Sequence, residues 1–252
     1  MMADVAGADV RGRARAAALT IAVIVSWISA VPAAQTSPEA EALYRHRDDL
    51  PSARRAAAIW GGEAPRSFDA AWRLARVAYW IGTHGTQPER RTALQAGVDA
   101  GEHAVRLQPN RPEGHFWLAA DMGALAEGFG VMQALKYRGR IRDELTRVLA
   151  IDRAWQGGSA DAALGQWYFE VPRLFGGSVA NAEEHFRRAL GYDAGNPAAL
   201  SGLADVLIAT GRRDEAARTL RRLIDEPVDP EWQPEDRDYK TRAAARLAAL
   251  GR

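Results

Sequence analysis

The sequence predicts an all-α fold, a superhelix of stacked helical hairpins, on three observations. No segment shows the sustained apolar–polar alternation that a half-buried strand needs. Long stretches at helical spacing are punctuated by proline, glycine and capping serine or asparagine. Between Trp155 and Asp193, one helical stretch carries Leu164, Gly165 and Tyr168, and the next carries Ala182, Phe186 and Ala189. Such alternation of small and large side chains suits two closely packed helices, and the flanking segments repeat it.

Residues 1–33 read as a secretory signal. Arg11, Arg13 and Arg15 precede an apolar run from Ala16 to Val31, and Val31-Pro32-Ala33 offers small residues for cleavage before Ala34. The run is short for a bilayer span of roughly 20 residues, and an uncleaved anchor is the alternative. No cysteine follows it, so a lipid-bearing cysteine is excluded. Export to the periplasm or cell envelope is the expectation.

A faint helical pair follows over 34–66, opened in its second member by Pro51 and Ser52 and closed by Gly61-Gly62. The repeat region proper is expected over 67–226. Ser67 caps a helix over 68–81, and Pro88 near a first turn starts one reaching about residue 107. Asn110-Arg111-Pro112 breaks the chain before a helix over 113–127, which Gly128-Phe129-Gly130 separates from another over 131–151. After the hairpin around 155–193, Asn196-Pro197 opens a helix to about 210, Gly211 turns, and 214–225 returns. Ser159 and Ser178, each behind a Gly-Gly pair, are expected to be N-caps. Residues 227–252 hold a proline- and acid-rich loop and a closing helix over about 235–250, expected to cover the last hairpin.

The hairpins share one register. In 197–228, Leu200, Leu203, Ala204, Leu207, Gly211, Ala216, Leu220 and Leu223 fall at the large and small positions of a tetratricopeptide repeat. The hairpin ending at Ala189 fits after an insertion of about five residues, and two earlier ones fit after longer insertions. The fold class is therefore all-α, a tetratricopeptide-like helical-hairpin superhelix (α-solenoid).

Three pieces go beyond a generic repeat: Ala71-Trp72-Arg73-Leu74-Ala75-Arg76-Val77-Ala78-Tyr79-Trp80, Pro112-Glu113-Gly114-His115-Phe116-Trp117-Leu118-Ala119, and the turn from Pro172 through Phe175, Gly176 and Gly177 to Ser178. Over residues 67–223 they resemble the TatT family, the periplasmic T component associated with TRAP transporters, and the related regulator-of-microtubule-dynamics repeat proteins. The resemblance implies a helical solenoid, possible oligomerisation, a cleft for a small organic ligand, and docking to a solute-binding protein. Bacterial members of that family are typically lipoproteins, and this chain departs from them in lacking the lipid-bearing cysteine.

Composition narrows the function. The leader carries the single net positive charge, so the remainder is neutral, which argues against a general nucleic-acid binder. With no cysteine, thiolate metal sites and a cysteine nucleophile are excluded. His46, His84, His103, His115 and His185 show no metal-ligand spacing, and no nucleotide-binding or nucleophile-elbow motif occurs. The expectation is a non-enzymatic protein with no cofactor and no metal. Its partner would be a protein segment or a small organic ligand, with membrane contact only through a retained leader. In a tetratricopeptide stack the first helix of each hairpin lines the concave groove. That places Trp72, Arg76, Tyr79 and Trp80 inward, followed by Glu113, Phe116 and Trp117, then Gln166, Phe169 and Glu170, and finally Ser201 and Asp205. Aromatic walls with a few polar groups suit a ligand or peptide. Arg76, Glu170 and Asp205 would orient it. The competing reading is that Trp80, Trp117 and Phe169 are core.

Overall fold

A computed structural model describes residues 37–251; the leader read over 1–33 lies outside them. Among the described residues the secondary structure is helical, as expected, with eleven α-helices and no strand. The helices pair in sequence: α1 (Pro38–Arg45) with α2 (Leu50–Glu63), α3 (Phe68–His84) with α4 (Gln87–Leu107), and α5 (Pro112–Gly128) with α6 (Val131–Ile151). They continue as α7 (Ser159–Glu170) with α8 (Val179–Tyr192) and α9 (Pro197–Ala209) with α10 (Arg213–Asp225), and α11 (Gln233–Leu250) follows.

Local chemistry sets the boundaries. The side chains of Ser37, Asp49, Ser67, Ser178 and Asn196 accept hydrogen bonds from backbone N–H groups in the first turns of α1, α2, α3, α8 and α9. Thr86 and Glu89 form a reciprocal capping box at α4. Hydrogen bonds from Arg54 and Thr86 hold the Glu89 carboxylate down to about 2. The faint first pair is a real hairpin: Ala53, Ala56 and Trp60 of α2 are buried against Tyr44 of α1 and Val77 and Trp80 of α3.

Small residues let the hairpins stack. The Phe186 ring of α8 lies between Gly165 of α7 and Gly202 of α9, where added Cβ atoms would come within 2.7 and 2.1 Å of it. Neither position tolerates a larger residue unless the ring moves. Leu94, Leu118, Met122, Tyr137, Leu145, Leu164 and Trp167 form a second centre joining α4, α5, α6 and α7.

One capping expectation needs correction. Ser159 is the first residue inside α7, its hydroxyl donates to the Gln156 carbonyl at 2.6 Å, and the cap position belongs to Gly158 in the left-handed region. Glycine holds that position because a Cβ would be strained there. Ser178 caps α8 as expected. The turn before it folds as a 3-10 turn, Arg173–Phe175, closed by Phe175 N–H to the Pro172 carbonyl at 2.8 Å and Ser178 N–H to the Tyr168 carbonyl at 2.8 Å. Gly177 is obligatory: a Cβ there would sit 1.6 Å from the Val171 carbonyl oxygen.

The closing helix also departs from expectation. α11 packs on α9 and α10, burying Ala243 and bringing Tyr239, Leu247 and Leu250 onto Leu200, Leu220 and Leu223. Its leading end does not stop at that hairpin. It reaches the α1–α2 connection, α3 and α5.

Candidate functional site

α3, α5, α7 and α9 are the first helices of their hairpins, and α11 with the residues leading into it touches His84 of α3, Trp117 of α5 and Ser201 and Asp205 of α9. On α3, the Trp72 indole is buried and donates to Asp69 at 3.2 Å. Arg76 is 4% exposed, stacks on Tyr44 and Trp72 at 3.9 and 4.9 Å, and donates to Glu41 at 3.3 Å. Trp80 is buried, donates to the Arg47 carbonyl at 2.5 Å, and stacks on His84 at 3.6 Å. Half-buried Tyr79 lies 6.0 Å from Trp117, and burial raises its hydroxyl above the ordinary range.

On α5, Glu113 is taken up by Arg111, and Phe116 lies edge-on to Trp117 and 5.0 Å from Trp155. Trp117 is buried, with its indole N–H unpaired and its ring stacked on Trp232 at 6.5 Å. On α7, Gln166 and Glu170 are exposed and bonded to each other at 2.8 Å, while Phe169 packs into the α8–α9 cluster. On α9, Ser201 accepts from Arg246 at 2.9 Å, and Asp205 is ion-paired with the same guanidinium at 3.2 Å. Trp72, Trp80 and Trp117 are thus packed into the fold, while Tyr79, Phe116 and Phe169 are half-buried; together they do not form an open aromatic wall. Of the polar members, Arg76, Ser201 and Asp205 meet α11 or the residues leading into it, whereas Glu113, Gln166 and Glu170 bond within their own segments.

The two ends of α11 meet opposite charge. At the leading end of α11, the wholly buried Arg47 holds Glu235 through Nε at 2.8 Å and through Nη2, and also donates to the Glu231 carbonyl at 2.9 Å. Burial alone would lower the Arg47 guanidinium, but the Glu235 hydrogen bond and the surrounding charges hold it above its ordinary value. The Arg76 guanidinium lies 4.0 Å from Glu231, and His84 lies 2.9 Å from Asp238. At the trailing end, partial loss of solvent around the otherwise exposed Glu170 raises its carboxyl, and the Glu127 and Asp205 charges raise it further, against the Gln166 hydrogen bond. Burial also raises Asp205, against the pull of Arg246 and Arg242. The groove is basic where α11 is acidic and acidic where α11 is basic.

Sequence reasoning missed α11 as an occupant, together with Arg47, Trp232, Glu235, Asp238, Arg242 and Arg246. A signal was present in the order of charges: Glu231, Glu235 and Asp238 come first, and Arg242 and Arg246 follow at helical spacing. Among the described residues no cluster of three His, Asp or Glu side chains is placed to hold a metal ion. His115 bridges Glu144 at 2.5 Å and the Pro109 carbonyl at 3.0 Å, and His185 bonds buried Asp161 at 2.7 Å. Both tie neighbouring segments together.

Residues 38–176 match the family model described as regulator of microtubule dynamics protein 1-3, and residues 177–234 match a tetratricopeptide repeat model. Among solved structures, TTC0263, a thermophilic tetratricopeptide protein of Thermus thermophilus, is 20% identical with a TM-score of 0.62, over 83% of this chain and 97% of that one. MamA is 14% identical with a TM-score of 0.47, over 78% and 95% of the two chains. No curated protein matches at the sequence level. The first likeness shows the fold, a tetratricopeptide solenoid.

Proposed function

Starting from a chain that belongs to the regulator of microtubule dynamics protein 1-3 family and ends its repeats in a tetratricopeptide hairpin, we propose a non-catalytic scaffold that binds a helical protein segment in its concave groove. The observation that carries this reading is the occupied groove. α11 lies in it as a partner helix would, with acidic residues on Arg47 and His84 and basic residues on Asp205. Charge order gives such a groove direction as well as affinity, since a helix laid in backwards would set like charges against each other. The fitting partner carries an aromatic residue and two or three acids in its first turns and arginines about two turns later. The expected leader would bring the scaffold into the cell envelope.

A synthetic peptide of residues 229–250, with in-cell crosslinking of the tagged chain, tests the proposal. Glu235→Arg and Trp232→Ala weaken the hold on α11. Both variants are expected to bind the labelled peptide, and to crosslink to a helical segment of another protein, at least tenfold better than wild type. If neither variant binds peptide or protein better than wild type, α11 is only a structural closure and the proposal fails. Recovery of a solute-binding protein together with a retained organic solute would instead favour a transporter-accessory role.

A further inference from the structure

The sequence marks the long turn between α7 and α8 as its most distinctive motif, yet neither the repeat architecture nor the groove uses the tip of that turn. Leu174 is 87% exposed there and Phe175 is 45% exposed. Beside it lies the first half of α6, where Val131, Met132 and Leu135 are 73%, 79% and 47% exposed. The Arg138 guanidinium joins the two, lying 5.0 Å from the centre of the Phe175 ring, and the Trp167 indole under the turn donates to the Arg138 carbonyl at 2.9 Å. Val131, Leu135, Arg138 and Arg142 follow one another at helical spacing, so they form one stripe along α6.

The cations of this surface are largely uncommitted. Arg140 is held by Glu102 and Glu144, and Arg142 by Asp143. Among the described residues, Lys136, Arg138 and Arg173 have no carboxylate partner; Lys136 donates only to the Tyr137 hydroxyl. A soluble surface rarely gathers this many large apolar tips together, and among the described residues nothing covers them.

We infer that the first half of α6 and the α7–α8 turn form a docking surface for a bilayer carrying anionic lipid headgroups. The chemistry selects that occupant over a protein. The apolar side chains project singly from a helix end and a tight turn, and do not line a pocket in which a partner's anchor residue would seat. Protruding apolar tips enter the acyl boundary, and a ring of lysine and arginine meets the headgroup charge. Residues 131–141 of α6 hold no acid, and the two that follow, Asp143 and Glu144, are already paired with Arg142 and with Arg140 and His115. No described helix is long and apolar enough to cross a membrane, so this contact lies on the surface of the bilayer.

The chain has no cysteine, so Leu174→Cys provides a unique site for an environment-sensitive fluorophore in the full chain. Arg221→Cys, exposed on α10, serves as the control for adsorption through any other part of the chain. Vesicles of phosphatidylcholine with one-third phosphatidylglycerol are expected to shift the emission at 174 to the blue, with no shift at 221. Pure phosphatidylcholine is expected to give a signal at least tenfold weaker. Adding Lys136→Glu and Arg173→Glu is expected to raise the half-saturating lipid concentration at least tenfold, at roughly fivefold per cation. The inference is overturned by no shift at 174 on anionic vesicles, or by equal shifts at 174 and 221. It is also overturned by a shift at 174 that grows with protein concentration in the absence of lipid, which would assign the patch to a second copy of the chain. None of these outcomes depends on whether the groove binds a helix.

Discussion

Helices α9 and α11 both pack against α10, yet they are held in different ways. α9 buries Ala199, Leu200, Ser201, Gly202, Leu203, Ala204, Val206 and Leu207, eight of its 13 residues. α11 is longer, at 18 residues, and buries only Pro234, Asp236 and Ala243. α9 is therefore a structural member of the solenoid, fixed by apolar packing with a glycine against Phe186. α11 combines apolar contacts of Tyr239, Ala243, Leu247 and Leu250 on α9 and α10 with ion pairs and one aromatic stack, spread from the α1–α2 connection to α9. Packing of the first kind is lost only when the domain unfolds. Ion pairs whose α11 member is partly exposed, such as Glu235, Asp238 and Arg246, open more readily and can be exchanged for equivalent contacts from another helix.

Substitutions should separate the two kinds of helix. The largest effect belongs to the α7–α8–α9 core: Phe186→Ala is expected to cost about 3–5 kcal/mol, measured by urea unfolding, because the ring fills space between two glycines that cannot close it. Next is Arg47→Met, which leaves Glu235 without its buried partner and is expected to weaken the hold on α11 by about 3 kcal/mol. Limited proteolysis should then cleave within 226–250 while α9 and α10 stay intact. Equal sensitivity in α9 would erase the distinction between the two helices.

A pH effect comes from the contact between α4 and α5. Asp121 of α5 is fully buried against Gly97, neither carboxyl oxygen has a hydrogen-bond partner, and burial pushes its carboxyl well above the usual range. The folded state therefore binds the Asp121 proton more tightly than the unfolded chain does. Its contribution is most favourable below the ordinary aspartate value and declines as pH rises from there through the raised folded value. Asp121→Asn removes this dependence. It is expected to gain about 1–3 kcal/mol over wild type at pH 7, shrinking toward zero near pH 4, as read from melting temperatures across that range. Smaller still, Ser178→Ala should cost about 1 kcal/mol through loss of the α8 cap. Leu174→Ser should change stability by less than about 0.5 kcal/mol, since the side chain packs on nothing.

Much of the solenoid was legible in the sequence, because its rules are local. Caps such as Ser67 and Asn196, and small–large pairs such as Gly165 with Phe186, act within or between neighbouring helices. Their spacing is visible in the chain. The groove was only half legible. Register places Trp72, Arg76 and Trp117 on first helices, but it does not say what lies against them, and the occupant comes from a segment more than a hundred residues further on. Ser159 was misplaced by one residue because a Gly-Gly-Ser string does not reveal which residue takes the left-handed conformation. Exposure at Leu174 was equally hidden, since an apolar residue in a turn looks the same whether it packs inward or projects.

The most direct test of the account is native-state hydrogen exchange, resolved by residue, on the wild-type chain. If α11 is a displaceable occupant, its amides open at a free energy well below that of α9 and α10, and adding the 229–250 peptide leaves α9 and α10 unchanged. If the α11 amides exchange only together with those of α9, in one global unfolding event, then α11 belongs to the core and the groove has no place for a partner.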